Sequence, residues 1–187
     1  LIFSHLTFTN FARENKLKLQ IKKQFETYLD PKQVKRLQKN PDLLKLGGET
    51  KELTFLFSDV RGFTAISEQY KTNPQNLTKL INRFLTPMTN LITQKYEGTI
   101  DKYMGDCIMA FWNAPIDVPH HKELSIKTAL EMQTSLKELN VKLKEEELLP
   151  LNIGIGVNTG ECVVGNMGSD NRFDFSVIGD PVNLAAR

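Results

Sequence analysis

The hydrophobic pattern of the chain changes period several times. Leu17, Ile21, Phe25 and Tyr28 recur at intervals of four, four and three, with lysines on the other faces, which predicts a helix over 13–29. Asp30-Pro31 breaks it, and Pro31 suits the first turn of a second helix running to about Gln38. Asn40-Pro41 and Gly47-Gly48 predict a linker, with the compact domain beginning near Glu52. The short run Leu53-Thr54-Phe55-Leu56-Phe57 then predicts a buried strand over 53–58. A helix is expected over 64–70. Asn73-Pro74 opens a longer one with Leu77, Leu80, Ile81, Phe84, Leu85, Met88, Leu91 and Ile92 on one stripe, ended by Gly98.

Residues 98–111, GTIDKYMGDCIMAF, read as strand, tight turn at Gly105-Asp106, and strand. A third helix is predicted over 121–147, its charged tail Lys144-Glu145-Glu146-Glu147 being a solvated face. LNIGIGVNTG, 151–160, predicts a strand whose glycines admit a close neighbour, and 161–168 its partner strand. Another strand follows at 173–180, and PVNLAAR opens a helix. This order predicts an α+β fold of the ferredoxin-like βαββαβ type. Helices pack on one face of an antiparallel sheet, and an N-terminal helical segment comes first.

Charge separates the segments. Residues 1–50 carry a net charge of +5 and residues 51–187 a net −3, so the basic part is a segment of its own and no nucleic-acid face spreads over the domain. Composition, 40% hydrophobic and 25% charged, excludes a disordered or fibrous chain. Cys107 and Cys162 lie in apolar runs and read as free buried thiols of a reducing compartment. His5, His120 and His121 form no metal-ligand spacing, and His120-His121 after Pro119 reads as a surface helix start. No run of 18 apolar residues exists. The apolar opening 1–12 followed by basic residues fits either the inner end of a membrane helix or a packed helix. The expected placement is a cytoplasmic domain, with anchorage in the cell membrane left open.

The chemistry concentrates at strand ends. Asp59 closes an apolar run, Gly62 permits a close turn, and Thr64 suits a helix start. A solvated aspartate capping a turn is the alternative for this stretch alone. Asp106 repeats the arrangement at the hairpin turn. In a ferredoxin-like sheet the first strand and the hairpin are neighbours, so the two carboxylates can lie side by side. Bare, they would repel. A pair of Mg²⁺ ions, which favour a few carboxylates plus phosphate oxygens, would remove the conflict.

Four segments in order, LTFLFSDVRGFTAISE, IDKYMGDCIMAFWNAP, IGIGVNTGECVVGNMGS and FSVIGDPVNLAAR, resemble the catalytic domain of class III nucleotide cyclases, the adenylate and guanylate cyclases, over residues 52–187. The resemblance implies a palm-type fold that joins the ribose 3′-oxygen to the α-phosphate and releases pyrophosphate. It implies that Asp59 and Asp106 bind two divalent metal ions, Mg²⁺ or Mn²⁺. Backbone N–H groups of Val60, Arg61, Gly62, Phe63 and Thr64 would hold the β- and γ-phosphates. Asn183 would orient the ribose, and Arg187 would stabilise charge on the transferring phosphate. Lys102 matches the purine-reading lysine of adenylate cyclases, where guanylate cyclases usually carry glutamate. Ser176 stands at the partner position, where its hydroxyl can accept from the adenine amine. These residues imply ATP as substrate.

The resemblance also implies a head-to-tail homodimer with sites at the interface, since metal aspartates and the Asn/Arg/Lys set facing one nucleotide come from different subunits. The segment 13–51 would then be a signalling helix and linker below an upstream sensor, so that charges at Leu17 and Ile21 would disturb activity or its regulation. Family domains continue beyond Arg187, so 52–187 is expected to be C-terminally incomplete. The rival readings are a non-catalytic cyclase-like dimerisation module, which typically loses a metal aspartate or the Asn/Arg pair, and a guanylate cyclase.

Overall fold

The structure, a computed structural model, describes residues 11, 13–20, 34, 39 and 46–187. The chain forms two compact units, Leu1–Leu44 and Lys45–Arg187. In the first, residues 13–20 are helical with exposed side chains, Leu17 among them. Ile21, Phe25 and Tyr28 of the predicted stripe, and residues 1–10, lie outside the described residues.

The second unit runs β1 (Gly47–Val60), α1 (Phe63–Gln69), α2 (Pro74–Asn90), a π-helical turn (Leu91–Lys95), β2 (Thr99–Met104), β3 (Cys107–Trp112), α3 (His121–Glu145), β4 (Ile153–Ser169), β5 (Arg172–Ile178) and α4 (Asp180–Ala186). The sheet order is β2-β3-β1-β4-β5, and every neighbouring pair is antiparallel. The first four strands have the predicted ferredoxin-like order, with β5 added outside β4.

β1 is central and buried on both faces, which is why its apolar run is nearly unbroken. Leu56 and Val60 face one side, where α1, α2, α3 and the π-helical turn bury Ile66, Phe84, Met88, Ile92 and Met132. α2 starts where the Asn73 side chain accepts from the Asn76 amide at 3.3 Å and Pro74 occupies the first turn. Its stripe carries Leu80, Phe84 and Met88 onto the sheet. Arg83 donates twice to Glu146, at 2.6 and 2.8 Å, and so joins α2 to the residue that ends α3. Asn140 of α3 pairs with both backbone groups of Leu151, each at 2.8 Å, and steers the chain into β4.

The other face has its own core. Leu53, Phe55, Met109, Phe111, Cys162, Val164 and Val177 meet Val182 and Ala185 of α4 there. Three helices therefore share the predicted face, and the short fourth one packs on the opposite side.

Two predicted boundaries change. Gly47-Gly48 is not a linker but the start of β1, paired with Asn166 and Gly165. The two strands predicted within 151–168 are one, the 17-residue β4. β1 pairs with β4 all the way from Gly47↔Asn166 to Val60↔Ile153, so the backbone of both halves is satisfied without a turn. Gly160, the last residue of the first predicted strand, lies beneath α4: a Cβ there would stand 2.5 Å from Pro181 Cγ. At Gly156 a Cβ would stand 2.0 Å from the Ala185 oxygen. The close neighbour that the glycines admit is α4 itself.

Candidate active site

The end of β1 meets the β2–β3 turn. Asp59 is the penultimate residue of β1 and pairs with Gly154. Gly105-Asp106 makes the turn, with Gly105 left-handed at φ 67° and Met104 paired with Cys107. The Val60 amide donates to Asp106 Oδ2 at 3.1 Å, which binds the hairpin tip to β1. The structure thus brings the two predicted aspartates together. Burial pushes the Asp106 carboxyl above its ordinary value, and the charge of Asp59 adds to the rise. The neighbouring Cys107 thiol is raised by burial first, then by Asp59 and Asp106.

A cleft of about 420 Å³ opens beside this pair, lined by Phe57, Asp59, Arg61, Cys107, Gly156 and Arg187 among others. α4 delivers Arg187. Val182 and Ala185 are buried against the sheet, which leaves Asn183 and Arg187 exposed. Of that predicted pair, Arg187 lines the cleft, and Asn183 stays on the open face of the helix. Arg61 lies alongside, for a Cβ on Gly154 would meet its Nη2 at 2.5 Å. Sequence reasoning gave Arg61 only a backbone role. The signal for its side chain was its place two residues after Asp59, on the same face of the chain.

The expected phosphate role of two amides is corrected. The Val60 N–H is spent on Asp106, and the Arg61 N–H donates to the Asn152 carbonyl at 2.7 Å. Gly62, left-handed at φ 69°, precedes α1, and the Ala65 amide returns to the Gly62 carbonyl at 3.0 Å. The amides of Gly62, Phe63 and Thr64 at this helix start remain the candidates.

Lys102 and Ser176 stand on the two edge strands, β2 and β5, and are not neighbours in the sheet. Lys102 pairs with Met109, a residue of the α4-side core. Ser176 pairs with Gly165 between Phe175 and Val177, whose side chains pack into that same core, so alternation turns Ser176 to the other face. His121 is also corrected. It opens α3, but its side chain is only 12% exposed, and its Nδ1 lies 2.7 Å from Thr54 Oγ1, which meets Thr159 Oγ1 at 2.8 Å.

Among the described residues no group of three or more His, Cys, Asp or Glu side chains converges as a complete metal cage. Two hard carboxylates, one half-buried and pressed by its like-charged neighbour, suit a divalent cation that draws its other ligands from water and phosphate. The cationic side chains of Arg61 and Arg187 in the same cleft suit an anionic substrate.

The five-stranded antiparallel sheet thus brings two aspartates together where β1 meets the β2–β3 turn. A sequence profile of the family described as the adenylate and guanylate cyclase catalytic domain matches residues 47–187, and the chain belongs to that family. Adenylate cyclase 1 of Rhizobium meliloti is 30% identical over 136 residues, 73% of this chain and 20% of that protein. The adenylate cyclase of Anabaena cylindrica is 34% identical over 142 residues, 74% of this chain and 27% of that one. The chain therefore spans about a quarter or less of these relatives. Among solved structures, a guanylyl cyclase is 40% identical with a TM-score of 0.69, over 75% of this chain and 70% of that chain. The adenylyl cyclase CyaB from P. aeruginosa is 39% identical with a TM-score of 0.70, over 76% and 72%.

Proposed function

We propose that this chain converts ATP to 3′,5′-cyclic AMP and pyrophosphate. The new bond joins the ribose 3′-oxygen to the α-phosphorus. The α–β phosphoanhydride bond breaks, pyrophosphate leaves with the electron pair, and the 3′-hydroxyl proton passes to solvent. The observation that carries this reading is the junction of Asp59 and Asp106, fastened by the Val60 amide, beside a cleft lined by Asp59 and Arg187.

Asp59 and Asp106 would hold one or two divalent cations, Mg²⁺ or Mn²⁺. When bound, such ions lower the pKa of a hydroxyl and neutralise charge on a departing polyphosphate. Arg187 offsets negative charge on the transferring phosphate, and Asn183 orients the ribose. Lys102 donates to adenine N1, and Ser176 accepts from the adenine amine. Because Lys102 and Ser176 are apart in the sheet order, their positions on one nucleotide depend on sheet curvature and on the second protomer of a two-fold dimer. The protein's substrate is ATP, its assembly a head-to-tail homodimer, and its upstream partner a sensor that sets the angle between protomers.

A guanylate cyclase is the second reading, supported by the solved guanylyl cyclase at 40% identity. Lys102 speaks for adenine, because an ammonium offers donors only, while the guanine edge presents N–H donors that need an acceptor. The test is product identification after incubation with ATP or GTP and Mg²⁺ or Mn²⁺. Cyclic AMP from ATP, lost in Asp106→Ala, supports the proposal. Cyclic GMP from GTP as the sole product selects the second reading, and bound nucleotide without any cyclic product selects a non-catalytic module.

A further inference from the structure

The β2 strand carries a buried carboxylate that the chemistry above does not use. Asp101 has a side chain only 1% exposed, and neither of its oxygens has a well-aligned hydrogen bond among the described residues. Its one recorded contact is the ammonium of Lys102, 3.2 Å from Oδ2. A carboxylate taken from water without aligned hydrogen bonds is destabilising. Such a residue persists where its position matters more than its energy.

The strand geometry shows how that contact arises. Ile100 pairs with Ala110 and Lys102 with Met109, so Asp101 is the extra residue of a β-bulge. In a regular strand, consecutive side chains point to opposite faces. The bulge breaks that alternation, and the ammonium of residue 102 can reach back to the carboxylate of residue 101. Lys102 itself is half exposed. Asp101 is thus a fixed anion behind a lysine that would otherwise sweep a wide arc on a flexible stem.

We propose that Asp101 is a positioning residue, holding the Lys102 ammonium where it meets the purine edge and so carrying part of the preference for adenine over guanine. This rests on the reading of Lys102 as the base-reading residue. A neutral acceptor at 101 leaves the ammonium less anchored, and an apolar one leaves it free.

The experiment measures affinities of the full-length protein for 3′-deoxy-ATP and 3′-deoxy-GTP, which bind but have no hydroxyl to react, in wild type, Asp101→Asn, Asp101→Leu and Lys102→Ala. Thermal melts of each variant run alongside. The expected result is that both Asp101 variants lose about five- to tenfold of the adenine preference, and Lys102→Ala loses at least as much. Asp101→Leu, freed of a buried carboxylate that lacks aligned hydrogen bonds, melts no lower than wild type. If Asp101→Leu fails to fold, the near-isosteric Asp101→Asn carries the test alone. An unchanged preference in Asp101→Asn beside a shifted one in Lys102→Ala overturns the proposal and leaves the reading of Lys102 standing. An unchanged preference in Lys102→Ala overturns both.

Discussion

The backbone amide of Val60 donates to the carboxylate of Asp106 at 3.1 Å, so the residue after one candidate metal ligand holds the other in place. The bond spans 46 positions of sequence and joins the end of β1 to a turn. Two like charges are thereby held together in a half-buried corner.

That corner should be strained without metal and relieved with it. Asp106→Asn keeps an acceptor for the Val60 amide but removes one charge. Its metal-free form is expected to melt above the wild type while cyclic nucleotide formation falls by about a hundredfold or more, since even outer partners of a metal site cost about ten- to a hundredfold. Mg²⁺ should raise the melting temperature of the wild type and leave that of the variant unchanged. Parallel melts and initial rates check both arms.

Arg187 lines the cleft beside Asp59 of its own chain. The proposed head-to-tail dimer would instead give each site the aspartates of one protomer and Arg187 of the other. In that dimer Asp106→Ala and Arg187→Ala are separately inactive but complement each other. Random mixing makes half the dimers mixed, each with one intact site, so about a quarter of wild-type activity should return. Mixing the two purified variants and measuring rate against time checks this. No recovery despite subunit exchange would place both residues in the same protomer's site.

Gly156 has no room for a side chain, because the Ala185 carbonyl of α4 occupies the place of its Cβ. Gly156→Ala should push α4 off the sheet, lower stability by about 1–3 kcal/mol and displace Arg187. Urea unfolding measures the first effect. A drop in rate larger than the change in folded fraction measures the second.

His121 gives the fold a pH dependence on the acid side. Burial holds its imidazole below its ordinary value, the nearby Glu52 charge opposing that only in part. The unfolded chain, with an imidazole near pH 6.5, takes up the proton first as pH falls. Stability should therefore be complete above that value and decline as pH drops through it toward the lower folded value. Urea melts from about pH 5 to 8 should show a decline that His121→Gln flattens.

Much of this was legible in the sequence. Asp59 and Asp106 showed as carboxylates ending apolar runs, and Gly105-Asp106 as a two-residue turn. The ferredoxin-like order followed from the succession of strands and helices. What stayed hidden depended on partners distant in sequence. The pairing of Gly47-Gly48 is set by Gly165 and Asn166, over a hundred positions away, so two glycines resembled a linker. The pattern ends a strand at Gly160 because the helix that rests on that glycine comes later in the chain. The Val60 and Arg61 amides looked free because their acceptors, Asp106 and Asn152, belong to other elements. His121 looked exposed because Thr54 lies far upstream. Asp101 was hidden by a bulge, which no local pattern announces.

The two cores on either side of the sheet divide the work. The three larger helices close one face, and the cleft with Asp59 and Arg187 opens beside the α4-side core. Substitutions beneath α2 and α3 are therefore judged mainly by whether the chain folds. Those around β4's glycines and α4 are judged by whether an already folded chain can work. One sheet gives the domain a foundation and a workbench, and drift in one need not disturb the other.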